Sequence, residues 1–411
     1  MKNARDLTTT RWGLLAVSCL INLFAGSIYA WSVFASALAE KFSALAGSAV
    51  TAGDLAIAFS IANGLAPIPM IFGGAVNDRF GPRFVIIGGG VLMGAGLYFS
   101  GTAQSIGALV FSYGLLFGLG LGMVYGCTIN NTMKFFPDRR GLVGGLTTAA
   151  YGICSVLMPP VASYLIDRIG ISSSLNFIGI AVGVVVVAGG ILSFQCPPDF
   201  APQGWTPQAS GRKSGRNCNW REMLRSPEFP PMIMLLMCGA TAGMMVISQG
   251  FTIAREQIGF DVAAAGAAVS LIALANTLGR IAAGTLSDHL GRLRTLGLGL
   301  LVAALGLALL AAASAQSVFF FYAGLCALGL SFGAFMGVFP GFTAEAFGSA
   351  HNSVNFGIMF AGFSVAGLIG PMLMKALLGA GFGFEACYGA AGLITLFGFF
   401  CIRLFNRRAA K

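Results

Sequence analysis

Apolar runs of about 20 residues recur along the whole chain, and their length constrains the fold more than any other feature. A helix needs about 20 mainly apolar residues to cross the hydrocarbon core of a bilayer. We count twelve such runs and number them spans 1–12 in chain order. They lie near 12–34, 55–76, 84–103, 106–129, 141–166, 174–195, 231–254, 262–286, 295–314, 317–341, 353–378 and 383–405. The sequence therefore predicts an all-α membrane protein with twelve transmembrane helices.

Composition agrees with a polytopic membrane protein, because 56% of the 411 residues are hydrophobic and only 9% are charged. The net charge of +10 does not indicate nucleic-acid binding, since Lys and Arg lie mostly in short loops between spans. Nine cysteines include no CxxC pair, and most fall inside spans. We interpret them as small core residues and expect no disulfide framework, metal site or cofactor. Span 1 is too long for the apolar core of a cleaved signal peptide.

Basic residues predict the topology. The two termini and the even-numbered loops together hold 19 Lys and Arg, whereas the odd-numbered loops and their flanks hold four. The positive-inside rule therefore places both termini in the cytoplasm, and we expect the protein in the inner (plasma) membrane.

One long polar stretch divides the spans into two groups of six. We expect an N-terminal six-helix bundle at 1–196, a cytoplasmic linker at 197–230 and a C-terminal six-helix bundle at 231–411. Such a charged central loop is usually a solvated linker.

The two halves repeat. The sequence GGAVNDRFGPR at 73–83 recurs as AGTLSDHLGRLR at 283–294, at an offset of 210. Span 4 matches span 10 at an offset of 211, and Pro159 matches Pro371 at 212. Parallel six-helix repeats are typical of secondary transporters, whose substrate site lies at mid-membrane between the halves.

The loop between spans 2 and 3 has the pattern Gly-x-x-x-Asp-Arg-x-Gly-x-Arg, which resembles the signature of the major facilitator superfamily. Glycine allows close helix approach, and the charged residues can pair across helix ends and exchange partners during transport. A plain positively charged turn is the alternative interpretation. The candidate gating residues are Gly74, Asp78, Arg79, Arg83, Asp288 and Arg292.

Arg280 is the only charged residue that the pattern places well inside a span. It lies in span 8, about 28 Å along a helix from Asp261 and about 12 Å from Asp288. An arginine at this depth costs at least about 3 kcal/mol, so it usually has a function. Its planar, permanently charged fork suits a carboxylate. We therefore predict a site for a small anion.

Asn276 shares a helix face with Arg280 and can hydrogen-bond the anion or orient the guanidinium. The repeat places Met70 at the position equivalent to Arg280, so the first half lacks this charge. The alternatives are that Arg280 reaches the interface or pairs with a buried acid. No Asp or Glu lies in the interior of any span, which argues against such a pair.

Further motifs resemble the monocarboxylate transporter and oxalate–formate antiporter branch of the superfamily. They are GSIYAWS (26–32), MVYGCTINN (123–131), FFPDRRG (135–141), AAYG (149–152) and the Asn-x-x-x-Arg of span 8. The resemblance implies a central substrate site with Arg280 as the carboxylate clamp. By position it implies a lining of Ile28, Tyr125, Tyr151, Phe332, Met336 and Phe363, although aromatic and Met residues are as often plain core.

Span 11 differs from the pattern of the dicarboxylate exchangers in the family that this chain resembles. Those exchangers carry a second basic residue in this helix, and alignment by the resemblance places Phe363 at that position here. A second carboxylate would lack a partner in an apolar site, at a cost of several kcal/mol. The sequence therefore favours a monocarboxylate such as lactate or pyruvate over oxalate.

The sequence constrains the coupling ion less than it constrains the substrate. Animal-type relatives commonly carry an Asp at the position of Asn276, which cannot titrate here. Asp54, Glu256 and Asp261 lie near the outer ends of spans. There the alternatives are a proton relay and a solvated helix-end charge, and we favour the second. The substrate can cross with a proton or exchange for another anion; the resemblance favours proton symport.

Other functions fit less well. An embedded hydrolase needs a nucleophile–base pair or metal ligands, and no His lies in a span. A transporter-derived receptor for small anions stays open. A carrier of neutral or cationic compounds would not use a lone buried cation. The predicted partners are thus a small monocarboxylate, a proton and the lipid bilayer, and we expect no nucleic-acid partner. We also expect no catalytic residue.

Overall fold

The fold is given by a computed structural model that describes residues 4–198, 200–205 and 217–409. Within these ranges all regular structure is helical. The basic linker residues Arg212, Lys213 and Arg216 lie outside the described residues. The helices are Ala4–Ala25, Gly26–Ala30 (3₁₀), Trp31–Ala46, Ala52–Gly64, Pro67–Phe80, Pro82–Thr102, Ile106–Leu109, Val110–Phe117 (π), Gly118–Lys134, Arg140–Leu192, Trp220–Arg225, Phe229–Glu256, Val262–Leu290, Arg292–Ala311, Val318–Phe347, Asn352–Gly379 and Phe384–Ala409.

In the described part of the chain, eleven helical segments are long and apolar enough to cross a membrane. One of them, Arg140–Leu192, has 53 residues and would measure about 80 Å if straight. It contains spans 5 and 6, which meet at Gly170, where φ is 74° and the helix is interrupted. Only glycine adopts such a left-handed φ without a steric cost. The eleven segments therefore contain the twelve predicted spans, and the all-α fold class is confirmed.

Three spans are irregular. Span 1 changes to a 3₁₀ turn at Gly26–Ala30 and then continues as Trp31–Ala46. Span 2 restarts at Pro67, which lacks an N–H and is tolerated in the first turn of a helix. Span 4 contains the π-helical turn Val110–Phe117. Such turns inside a span change which side chains share a face, so simple helical periodicity does not carry across them.

The chain folds into two compact units. Unit 1 contains residues 1–137, 150–206 and 351–358, and unit 2 contains 138–149, 207–350 and 359–411. The start of span 5 thus belongs to unit 2, and the start of span 11 belongs to unit 1. Each unit has its own apolar core, which includes Phe34 and Phe117 in unit 1 and Phe321 and Leu328 in unit 2.

Equivalent glycines fix equivalent helix pairs in the two units. In unit 1, a β-carbon on Gly126 of span 4 would lie 3.2 Å from the side chain of Met70 in span 2. In unit 2, a β-carbon on Gly337 of span 10 would lie 2.5 Å from the carbonyl oxygen of Arg280 in span 8. Small residues allow such close backbone approach between membrane helices. These distances agree with the repeat register, in which Met70 corresponds to Arg280.

Candidate functional site

Arg280 lies on the helix Val262–Leu290 and is only 2% exposed. Its Nε donates a hydrogen bond to Oδ1 of Asn276 at 3.1 Å. Its Nη1 donates to the backbone carbonyl of Thr148 in span 5 at 2.7 Å. A guanidinium has five N–H donors and no acceptor, so the oxygen of Asn276 must face it. Asn276 therefore orients the guanidinium, which is one of the two roles expected from the sequence.

The charge of Arg280 has no carboxylate partner among the residues that the structure describes. Within the same residues, its Nη2 makes no hydrogen bond. The structure thus places the guanidinium inside unit 2 with two nitrogens anchored and one available. Such an arrangement can bind an anion, because a charge-assisted hydrogen bond to carboxylate is about twice as strong as a neutral one.

Glycines on span 10 hold the backbone of span 8 in place beside Arg280. A β-carbon on Gly333 would overlap the carbonyl oxygen of Asn276 and lie 2.8 Å from the amide nitrogen of Arg280. Together with Gly337, this close contact fixes the depth and rotation of the turn that carries the Asn–Arg pair. The site therefore rests on backbone packing and not on side-chain contacts alone.

The three predicted apolar residues of unit 2 occupy two environments. Phe332 and Met336 on span 10 are 4% and 5% exposed, whereas Phe363 on span 11 is half-buried. The ring centroids of Phe332 and Phe363 are 6.1 Å apart, and Phe360 lies 4.5 Å from Phe363. Phe360, which the sequence reasoning missed, completes this phenylalanine group.

The predicted tyrosines come together in unit 1. The rings of Tyr125 and Tyr151 have centroids 4.7 Å apart, and Tyr29 contacts Tyr151 edge-on at 5.2 Å. Ile28, in contrast, is 2% exposed and packs in the apolar core of unit 1. The sequence reasoning missed Tyr29 because the 3₁₀ turn Gly26–Ala30 changes the face that each residue of this stretch occupies.

The first pair of candidate gating residues lies in unit 1. The carboxylate of Asp78 forms an ion pair with Lys134 at 2.9 Å and accepts a hydrogen bond from the hydroxyl of Ser353 at 2.8 Å. It also accepts the backbone N–H of Val354 at 3.4 Å, at the start of span 11. A β-carbon on Gly74 would lie 2.7 Å from the carbonyl carbon of Ser353.

Arg79 and Arg83 interact with other groups of unit 1. The guanidinium of Arg79 lies over the ring of Phe80 at 5.1 Å, and Arg83 donates to the carbonyl of Ile191 at 2.6 Å. In the described part of the chain the two arginines thus contact Phe80 and span 6, and no ion pair joins them to Asp78.

Unit 2 contains the equivalent arrangement. Asp288 accepts the N–H groups of Gly141 and Leu142 at 2.8 and 2.9 Å, at the start of span 5. Arg292 donates to Asp288 at 2.8 Å, and its Nε lies 3.5 Å from the carboxylate of Glu345. In each unit, therefore, the repeated Asp caps the amino end of a helix, where unpaired N–H groups and the helix dipole favour negative charge.

Two acids near the other span ends also cap helices. Asp54 accepts the N–H and the hydroxyl of Thr51, both at 2.8 Å, and Asp261 accepts the N–H of Ala264 at 2.7 Å. Both acids thus lie at helix ends.

The eleven apolar helical segments in the described residues define the class as a polytopic membrane protein. The model of the Major Facilitator Superfamily matches residues 16–256 and 250–411, so the chain belongs to this family. It is a transporter-family protein and not an enzyme.

Curated relatives belong to the branch expected from the motifs. The Oxalate:formate antiporter of Oxalobacter formigenes is 26% identical over 96% of this chain and 91% of that protein. The uncharacterized MFS-type transporter YhjX of Escherichia coli (strain K12) is 29% identical over 87% and 86%. Monocarboxylate transporter 13 of Rattus norvegicus is 26% identical over 82% and 78%.

Solved structures show the same fold at low sequence identity. The proton:xylose symporter XylE aligns with a TM-score of 0.73 and 17% identity, covering 95% of this chain and 94% of that one. The human organic anion transporter MFSD10 aligns with a TM-score of 0.70 and 14% identity, covering 98% and 100%. The chain is thus a multi-pass transporter related to the oxalate:formate antiporter and the monocarboxylate transporters.

Proposed function

We propose that this protein is a secondary active transporter of a small monocarboxylate, such as lactate or pyruvate, that works by alternating access. The observation that carries the proposal is Arg280, a buried guanidinium with no carboxylate partner among the described residues. Its Nη2 donors would bind the substrate carboxylate, while Asn276 and Thr148 hold the rest of the group. Relatives named for carboxylates support this substrate class.

The apolar groups would recognise the remainder of the substrate. Phe332, Met336 and Phe363 belong to the same unit as Arg280 and offer no second charge. A substrate with one carboxylate and a short tail suits this set, since a second carboxylate would lose its hydration without gaining a cation. Tyr125 and Tyr151, together with Tyr29, would contribute phenol donors and ring surfaces.

The repeated aspartates would act as gates. Asp78 and Asp288 each hold the start of a span, and release of those starts would accompany the change of access. Gly74 and Arg292 would support them, with Arg79 and Arg83 on the adjoining surface. We further propose halves at 1–196 and 231–411 joined by a linker at 197–230, with both termini cytoplasmic in the inner membrane.

Competition in proteoliposomes tests the substrate class. Uptake of radiolabelled lactate should be inhibited by excess unlabelled lactate or pyruvate and much less by oxalate. Oxalate that outcompetes lactate would defeat the monocarboxylate proposal.

Proton symport is the proposed coupling, and anion exchange is the second candidate because one relative is an antiporter. A pH-sensitive dye inside the liposomes separates them. Symport predicts acidification of the interior on adding external lactate without any internal anion. Exchange predicts uptake only when the liposomes are preloaded with a carboxylate, with no acidification.

A further inference from the structure

The helix residues 140–149, at the start of span 5, belong to unit 2 together with span 8, and several of them contact it. We call this stretch the span-5 start. At one end, the N–H groups of Gly141 and Leu142 donate to Asp288. At the other end, the carbonyl of Thr148 accepts from Arg280. One helical stretch therefore connects the capping aspartate to the guanidinium.

Glycines make this contact close. A β-carbon on Gly145 would overlap the carbonyl oxygen of Arg280 and lie 3.2 Å from its carbonyl carbon. A β-carbon on Gly284 would lie 3.1 Å from the carbonyl carbon of Gly141. In both cases the neighbouring atoms are backbone, which cannot move aside as a flexible side chain can. Larger residues would therefore force the two helices apart.

The hydrogen bond that Arg280 donates to the carbonyl of Thr148 depends on the distance between the two helices. This carbonyl lies three residues after Gly145, so a shift of the span-5 start away from span 8 would break the 2.7 Å bond from Nη1. Arg280 would then keep only the bond to Asn276 on its own helix and would gain side-chain freedom. Anions bind best to donors that are already held in place.

We propose that the span-5 start is a positioning element of the anion site, which presents the Thr148 carbonyl to Arg280 only while it is seated on span 8. The proposal rests on the proposed function of Arg280 as the carboxylate site. It makes carboxylate affinity depend on the contact between Gly145 and Arg280 and on the cap formed by Asp288, although neither Gly145 nor Asp288 would touch the substrate.

The test combines two readouts on full-length protein in nanodiscs. Hydrogen–deuterium exchange at the Gly141 and Leu142 amides reports whether the span-5 start is seated. Titration with lactate reports the affinity. We expect Gly145→Val to speed exchange at both amides and to weaken lactate binding about tenfold, which corresponds to one hydrogen bond to a charged group. Gly145→Ala should give smaller changes in the same direction.

Asp288→Asn provides an independent way to release the same segment, because it weakens the cap without adding a β-carbon. It should speed the same exchange and weaken lactate binding. The double variant Gly145→Val with Asp288→Asn should bind lactate no more weakly than the worse single variant, since both changes remove one shared interaction. Gly266→Val is the matched control, because Gly266 lies on span 8 with open space beside it.

Faster exchange with unchanged lactate affinity would overturn the proposal, and so would unchanged exchange in Gly145→Val. Additive losses in the double variant would show that two separate effects operate and would also overturn it. If the unaltered protein bound neither lactate nor pyruvate, the proposed function would fail and this inference with it. That outcome is distinct, because the exchange data would still show whether the segment is released.

Discussion

Oδ1 of Asn276 accepts the Nε–H of Arg280 at 3.1 Å, one helical turn away on the same buried face. The Asn276 side chain is neutral and the Arg280 side chain is a cation, so the amide orients the guanidinium without cancelling its charge. A carboxylate at the same position would bond to the same nitrogen and also neutralise it. The chemical identity of residue 276 therefore sets whether this neighbour only orients Arg280 or also neutralises its charge.

Asn276→Asp should weaken lactate binding about 100-fold at neutral pH, because a built-in carboxylate would compete for the guanidinium at a cost of about 3 kcal/mol. Asn276→Ala removes only the orienting bond and should weaken binding about fivefold. Isothermal titration with lactate measures both. Equal losses in the two variants would contradict the importance of charge at this position.

Arg280→Lys should abolish lactate uptake, even though the charge is kept. A lysine has no planar fork and cannot reproduce the bonds to Asn276 and Thr148 while binding a carboxylate. Radiolabelled lactate uptake by proteoliposomes measures the effect. Arg294→Lys, at an exposed arginine of the helix Arg292–Ala311, is the control and should transport normally. Retained lactate uptake in Arg280→Lys would show that the planar guanidinium is not needed to bind the carboxylate.

Phe363→Lys should shift selectivity towards dicarboxylates. Phe363 is half-buried in the same unit as Arg280, so a lysine there would add the second cation that oxalate requires. We expect oxalate to inhibit lactate uptake by this variant at least tenfold more strongly than it inhibits the unaltered protein. Phe363→Leu is the control, because it removes the phenyl ring without adding a charge. An unchanged oxalate sensitivity would place residue 363 away from the substrate.

Asp78→Asn should release the start of span 11. The change removes the ion pair with Lys134 and weakens the bonds from Ser353 and Val354, a loss of about 2 kcal/mol. Hydrogen–deuterium exchange at residues 353–356 should increase, and lactate uptake should fall. Asp167→Asn, at an exposed aspartate, should change neither. Normal exchange in Asp78→Asn would show that its carboxylate does not hold this helix end.

Gly333→Val should destabilise the protein by about 1–3 kcal/mol, since the new side chain would overlap the backbone of Asn276. Thermal unfolding in detergent measures the loss as a lower Tm. The control is Gly389→Val, because Gly389 has open space around it. An unchanged Tm for Gly333→Val would mean that spans 8 and 10 can separate freely.

The sequence alone determined the elements and the unusual charge. The hydropathy that marks a transmembrane span is averaged over about 20 consecutive residues. The spans could therefore be counted without knowing how they contact one another. The repeat motifs indicated that Asp78 and Asp288 are equivalent, and Arg280 stood out because a charge in an apolar run is costly anywhere in a bilayer. All of these signals can be read along the chain without knowing which helices contact one another.

Only the tertiary structure decided which groups contact one another at the candidate site. The carbonyl of Thr148 binds Arg280, yet a backbone carbonyl has no residue signature that a sequence could show. The tyrosine group includes Tyr29, while Ile28 is buried in the core, because a short 3₁₀ turn alters the helix face. Partners depend on the rotation and depth of each helix, which close glycine contacts between distant segments set. No local pattern encodes those two quantities.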